Sequence, residues 1–150
     1  MSTVRQLLEH KNRPEIHSIA PDRTTYEALQ IMADHEIGAV AVLDGQGNLQ
    51  GLLTERDYAR RIVLEGKKSR HTPVRDTMRT KLSPVHPDTS IRECMSLMTR
   101  NKERYLPVME GSRLIGLVSI GDVIKTMLIE QESNVEHLTR YITGGDYGFQ

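Results

Sequence analysis

Two short segments of this chain carry the residue types from which a nucleoside site is built. Gly51-Leu52-Leu53-Thr54-Glu55-Arg56-Asp57 and Gly116-Leu117-Val118-Ser119-Ile120-Gly121-Asp122 share one form: glycine, two apolar residues, a hydroxyl, two variable residues, aspartate. Each falls where a β-rich run gives way to a helical one. A hydroxyl at such a junction lies beside helix amides that lack partners and favour an anion such as phosphate. An aspartate three residues further can accept hydrogen bonds from both hydroxyls of a ribose. The same pair of residues also describes an ordinary helix cap, although aspartate is shorter than the glutamate usual at that position, which leans toward a ligand. Recurrence of the motif establishes duplication and leaves cap and cradle both open.

Nothing else in the chain points to catalysis. Histidines at 10, 17, 35, 71, 86 and 137 lack the paired spacing of metal sites, so no metal is expected. No Walker-type phosphate loop and no Gly-x-Gly-x-x-Gly fingerprint occurs, which argues against a nucleoside triphosphatase or a Rossmann enzyme. Cys94 lies on a core-facing stripe, and no Ser/His/Asp or Cys/His set has a context that would activate a nucleophile. The expectation is a protein that binds and does not catalyse.

The elements that must position the two motifs are themselves repeated. Ile19-Ala20-Pro21-Asp22 returns as Val85-His86-Pro87-Asp88, about 66 residues on, and the register persists through both motifs with one deletion. Thr24 to Glu27 and Ser90 to Glu93 fit the capping box, and a helix follows each. Apolar positions 28, 29, 32 and 33, matched by 91, 94, 95 and 98, give each helix one buried face. Runs 39–43 and 49–53, matched by 105–109 and 114–118, read as hairpins about Gly-bearing turns. A second helix begins near Thr54 or Ser119, so each half has the order strand, helix, strand, strand, helix.

A half of about 60 residues buries too little apolar surface to stand comfortably alone, so the two are expected to pack sheet against sheet with a ligand site between them. The first repeat with its lead-in spans 1–66, a basic linker 67–73, the second repeat 74–143 and a glycine-rich tail 144–150. Lys67, Lys68 and Arg70 in the linker are expected to face solvent. Val4-Arg5-Gln6-Leu7-Leu8 resembles Val74-Arg75-Asp76-Thr77-Met78, so the lead-in helix looks duplicated too. The last helix, 122–143, extends an apolar stripe through Val135, Leu138 and Ile142 beyond the repeat's own core, a face suited to a partner chain.

Lysine plus arginine balance aspartate plus glutamate at 20 each, so no overall field attracts nucleic acid or an acidic membrane. The single cysteine cannot form an internal disulfide, no signal-peptide pattern opens the chain, and no apolar run approaches the roughly 20 residues of a membrane span. A cytoplasmic protein is expected.

The motifs, the repeat spacing and the Leu106-Pro107-Val108 strand together resemble the tandem CBS domain pair, or Bateman module, over about residues 4–143. The resemblance implies an α+β fold of two βαββα repeats packed pseudo-symmetrically, with the extended C-terminal helix as an addition. It also implies an adenosine-containing ligand such as AMP, ADP, ATP, NAD(H) or S-adenosylmethionine in the clefts between halves. By that resemblance Asp57 and Asp122 hold ribose hydroxyls, with Thr54 and Ser119 close to ribose or phosphate. The Asp57 cleft takes its second wall from Arg104 and Tyr105, with Arg104 facing phosphate or simply solvated at the surface. The Asp122 cleft is completed by Ile37, Gly38, Ala39 and the backbone near Ile19, and this wall offers no matching cation; it is the roomier. A homodimer forming a flat disc and an effector protein complete the expectation: an energy or redox sensor. The alternative is a ligand-free dimeric scaffold. In the tail, Tyr147 or Phe149 is either mobile or tucked against a neighbouring subunit or ligand.

Overall fold

The computed structural model describes residues 2–11 and 16–143, so the expectations for Tyr147 and Phe149 lie outside the described residues. Helix α1, Val4–His10, opens the chain and is followed by β1, Ser18–Ile19, and α2, Thr25–His35. Strands β2, Ala39–Leu43, and β3, Leu49–Thr54, form the first hairpin, and α3, Glu55–Tyr58, continues as a π-helical turn over Ala59–Val63. The second half comprises α4, Ile91–Asn101, strands β4, Tyr105–Glu110, and β5, Arg113–Ser119, and the long α5, Ile120–Thr143. The α+β class stands as the sequence implies, and the order repeats except at the first strand of the second half.

Capping explains where the helices begin. Thr24 and Ser90, both extended, accept hydrogen bonds from the amides of Glu27 and Glu93. The reciprocal half of the expected box is missing at Thr24, whose hydroxyl donates to Glu27 Oε1 at 3.2 Å. A box with both halves closes instead at Thr3 and Gln6, ahead of α1. On α2 the buried positions are Thr25, Ala28 and Met32, and Ala33 is exposed rather than buried; α4 buries Ile91, Cys94 and Met98. Burial pushes the Cys94 thiol up to about 11, which keeps it protonated and inert.

The first sheet runs β1-β2-β3 and the second β4-β5, each hairpin antiparallel. The first strand of the second repeat is reduced to one parallel bridge between Val85 and Val108. Both hairpins carry an irregularity at matching places, Val42/Leu43 and Val108/Met109, and both turns need glycine at positive φ, Gly47 at 84° and Gly111 at 64°. Ala41 and Leu52 of one sheet pack against Leu114 of the other, joined by Leu43, Tyr105, Met109 and Leu117. The sheets therefore face each other, as expected for two halves that cannot bury enough surface separately.

The lead-in segments are exchanged between halves. Val4 and Leu7 of α1 belong to the core of the second repeat, with Ile91, Cys94, Met98 and Leu106. Val74, just ahead of the second repeat, belongs to the core of the first, with Ala28, Met32, Val40 and Leu53. Backbone bonds repeat the exchange: Val4 N to Thr89 O, 2.9 Å, and Arg5 N to Pro87 O, 2.8 Å, match Val74 N to Arg23 O, 2.8 Å, and Arg75 N to Pro21 O, 2.9 Å. The second lead-in is not the expected helix but a short 3₁₀ turn, Val74–Asp76. In the linker, Lys67, Lys68 and Arg70 are exposed, and the Arg70 guanidinium also lies 3.9 Å from the centre of the Tyr26 ring.

Candidate functional site

Both motif hydroxyls act as helix caps. Thr54 Oγ1 accepts from Asp57 N at 3.0 Å, and Ser119 Oγ accepts from Asp122 N at 3.1 Å. Asp122 Oδ2 reaches back to accept Ser119 N at 2.9 Å, so the shorter aspartate closes a full reciprocal box. The cap, one of the two readings the sequence left open, is therefore present at this residue. The first amides of the two helices are also taken, Glu55 N by Gly38 O at 3.0 Å and Ile120 N by Arg104 O at 2.8 Å. Little of the helix-terminal anion field foreseen from sequence is left unpartnered.

The motif glycines admit the exchanged lead-ins. A Cβ on Gly51 would lie 2.7 Å from the Arg79 carbonyl oxygen and 2.9 Å from Met78 Sδ, and one on Gly116 would lie 3.0 Å from Leu8 Cδ2. Leu8 and Met78 hold equivalent places in the two lead-ins. Each lead-in then supplies a cation to the motif aspartate beside it. Arg79 Nη2 donates to Asp57 Oδ1 at 3.1 Å, and Lys11 Nζ donates to Asp122 Oδ2 at 2.8 Å and to Leu117 O at 3.3 Å.

The two clefts differ in room. The cleft at Asp122 encloses about 340 Å³ between Ile37, Gly38 and Ala39 of the first repeat and Tyr105, Leu117, Ser119 and Asp122 of the second. Leu8 and Lys11 close one side, and Ile16, His17 and Glu36 another. Ile19 is not on this wall; it is buried in the core of the first repeat, and Ile16 and His17 stand in its place. The His17 ring stacks on His35 with centroids 3.9 Å apart, a pairing of distant histidines that spacing did not signal. Gly38 stands at the position matching Arg104, so that wall has no matching cation; the cation of this cleft, Lys11, arrives instead from the exchanged lead-in.

The opposite cleft holds only about 40 Å³, between Thr54, Arg56 and Arg79 on one side and Lys102, Glu103, Arg104 and Tyr105 on the other. Asp57 does not line it, since its side chain is 4% exposed and turned to Arg79. Among the described residues its second oxygen, Oδ2, is buried with no hydrogen-bond partner. Arg104 does reach the cleft, where it and then Arg60 depress the Arg56 guanidinium. Ala39 stands where the second repeat has Tyr105, and the tyrosine borders both clefts. A Cβ on Gly38 would collide with the Tyr105 hydroxyl, so glycine there lets the ring lie across the boundary. Burial, then the Glu55 and Asp122 carboxylates, raise the Tyr105 phenol, which stays a neutral donor.

Two matched repeats are joined sheet to sheet beside a cavity lined from both. The CBS domain model matches residues 4–64 and 74–129, and the chain belongs to the CBS-domain family. It is 41% identical over 128 residues to the CBS domain-containing protein CBSX3, mitochondrial, of Arabidopsis thaliana, covering 83% of this chain and 62% of that protein. It is 34% identical over 120 residues to the CBS domain-containing protein YhcV of Bacillus subtilis (strain 168), covering 80% of this chain and 81% of the relative. A solved protein with CBS domains from Burkholderia ambifaria MC40-6 superimposes with a TM-score of 0.82 at 41% identity, covering 87% of this chain and 96% of that one. Tandem CBS pairs are regulatory modules that generally bind adenosine-containing ligands and typically do not catalyse. No helix among the described residues is long and apolar enough to cross a membrane.

Proposed function

We propose that this protein is an adenine-nucleotide sensor whose ligand sits in the cleft at Asp122. The observation that carries the reading is the cavity of about 340 Å³ there, in the size range of small-molecule sites, with a carboxylate on one wall and small apolar residues on the other. Ile37 and Ala39 suit a purine face, Gly38 leaves backbone accessible, and Asp122 with Ser119 suits a ribose. Thr54 and Arg104 border the second cleft, which is too narrow for a nucleoside as it stands. Because the cavity is lined by both repeats, a ligand favours whichever relative arrangement it contacts better, by its difference in affinity for the two. That arrangement is read by an effector protein. The exposed apolar face of α5 pairs two copies as a homodimer, and the module works in the cytoplasm.

Titration calorimetry with AMP, ADP, ATP, NAD, NADH and S-adenosylmethionine tests the proposal. One of these binds the parent, and Asp122→Ala weakens it at least about tenfold while keeping its fold; the loss corresponds to about 1.4 kcal/mol. Asp57→Asn keeps the affinity of the parent. If nucleotide-free parent protein binds none of them, the scaffold reading replaces the sensor.

A further inference from the structure

Lys11 is the one lysine or arginine among the described residues lining the larger cleft, and it comes from the lead-in of the other repeat. Its ammonium is 2.8 Å from Asp122 Oδ2, the oxygen that also accepts the Ser119 amide. The pair is open to exchange, because the Lys11 side chain keeps 35% of its surface exposed and Asp122 keeps 21%. At the other motif aspartate the carboxylate is only 4% exposed beneath Arg79, and the cleft beside it is nearly filled. The base of Lys11 is fixed, because its amide caps α1 by donating to Leu7 O and Leu8 O, while a flexible four-carbon stem carries an ammonium held only at the cleft wall by Asp122 Oδ2 and Leu117 O.

We propose that Lys11 reads phosphate in this cleft, an inference that rests on the nucleotide reading above. A ribose hydroxyl that takes Asp122 Oδ2 displaces the ammonium. A nucleoside offers the displaced ammonium no anion, so it gives up an ion pair to bind. A nucleotide supplies a phosphate within reach of the same stem, and the charge-assisted bond is remade on the ligand. The cleft therefore selects phosphorylated adenosine over adenosine, and the selecting residue lies in neither motif. Ligand binding also draws on α1 directly, through the residue that ends it.

The test uses AMP and adenosine as probes against the full chain, Lys11→Met and Lys11→Arg, by titration calorimetry, with thermal unfolding to check each fold. The parent prefers AMP by about tenfold or more, the scale of one charge-assisted hydrogen bond. Lys11→Met brings the two affinities to within about threefold, by weakening AMP while adenosine holds or tightens, and Lys11→Arg retains the preference. A folded Lys11→Met that binds adenosine and still shows the parent's preference overturns the role of Lys11 and leaves the sensor reading intact. A parent that binds AMP and adenosine equally does the same. A parent that binds neither overturns the role of Lys11, and overturns the sensor reading as well when ADP, ATP, NAD, NADH and S-adenosylmethionine also fail to bind.

Discussion

The two motif aspartates have the same sequence context and different fates. Asp57 is a buried carboxylate held by Arg79, with one oxygen unpartnered among the described residues, whereas Asp122 is a half-open one held by Lys11. Removing the partner of a buried charge leaves it desolvated and unpaired, while an exposed pair contributes little. Arg79→Ala therefore lowers stability by about 3 kcal/mol, at the lower end of the range because the arginine keeps a third of its side chain in solvent. Lys11→Ala costs less than about 1 kcal/mol. Urea denaturation of the two variants measures the difference, and equal losses would contradict the contrast in burial. The positive φ of Glu36, 52°, and Lys102, 54°, is another matched pair. Each is an unusual non-glycine left-handed cap, and each borders a cleft, where such strain tends to collect.

Among elements, the exchanged lead-ins do the most to make two repeats into one body. Helix α1 has seven residues, too short to persist in water alone, and gains its order from Val4 and Leu7 in the second repeat's core. Truncating Val4 to alanine removes buried methyl groups from that core and costs about 1–3 kcal/mol. In hydrogen exchange near native conditions the loss falls first on α4 amides such as Cys94 N, which are distant in sequence, and not on α2, which is nearer. Loss of protection confined to α2 would refute the exchange. The motif glycines belong to the same device, because any side chain at Gly51 meets backbone of the second lead-in.

Over the whole molecule, pseudo-symmetry ends at α5, which at 24 residues is about 36 Å long. Val123 near its start is fully buried, but Leu128, Ile129, Val135, Leu138 and Ile142 are each more than half exposed. So much apolar surface along one helix is unusual for a monomer and fits a second copy. Sedimentation equilibrium is expected to show the parent as a dimer of 17.0 kDa chains and the double variant Leu138→Glu, Ile142→Glu as a monomer. A parent that remains monomeric at high concentration would remove this face from the proposal.

Much of this was legible in local patterns. Repetition fixed the two halves, periodicity gave the order of elements, and strands 39–43 and 105–109 were bounded to within a residue. The caps at Thr24, Ser90, Thr54 and Ser119 were readable because a cap joins residues three apart. So was the roomier cleft, since Gly38 and Ala39 are small where Arg104 and Tyr105 are large. What tertiary structure decided was which segment meets which. The lead-ins were grouped with the repeats they precede in sequence, yet each packs on the other. Lys11 reaches Asp122 across 111 positions, and Arg79 reaches Asp57 across 22. No periodicity carries that information: side-chain spacing reports which face of an element is buried, while the partner on that face is chosen by how the two halves close together.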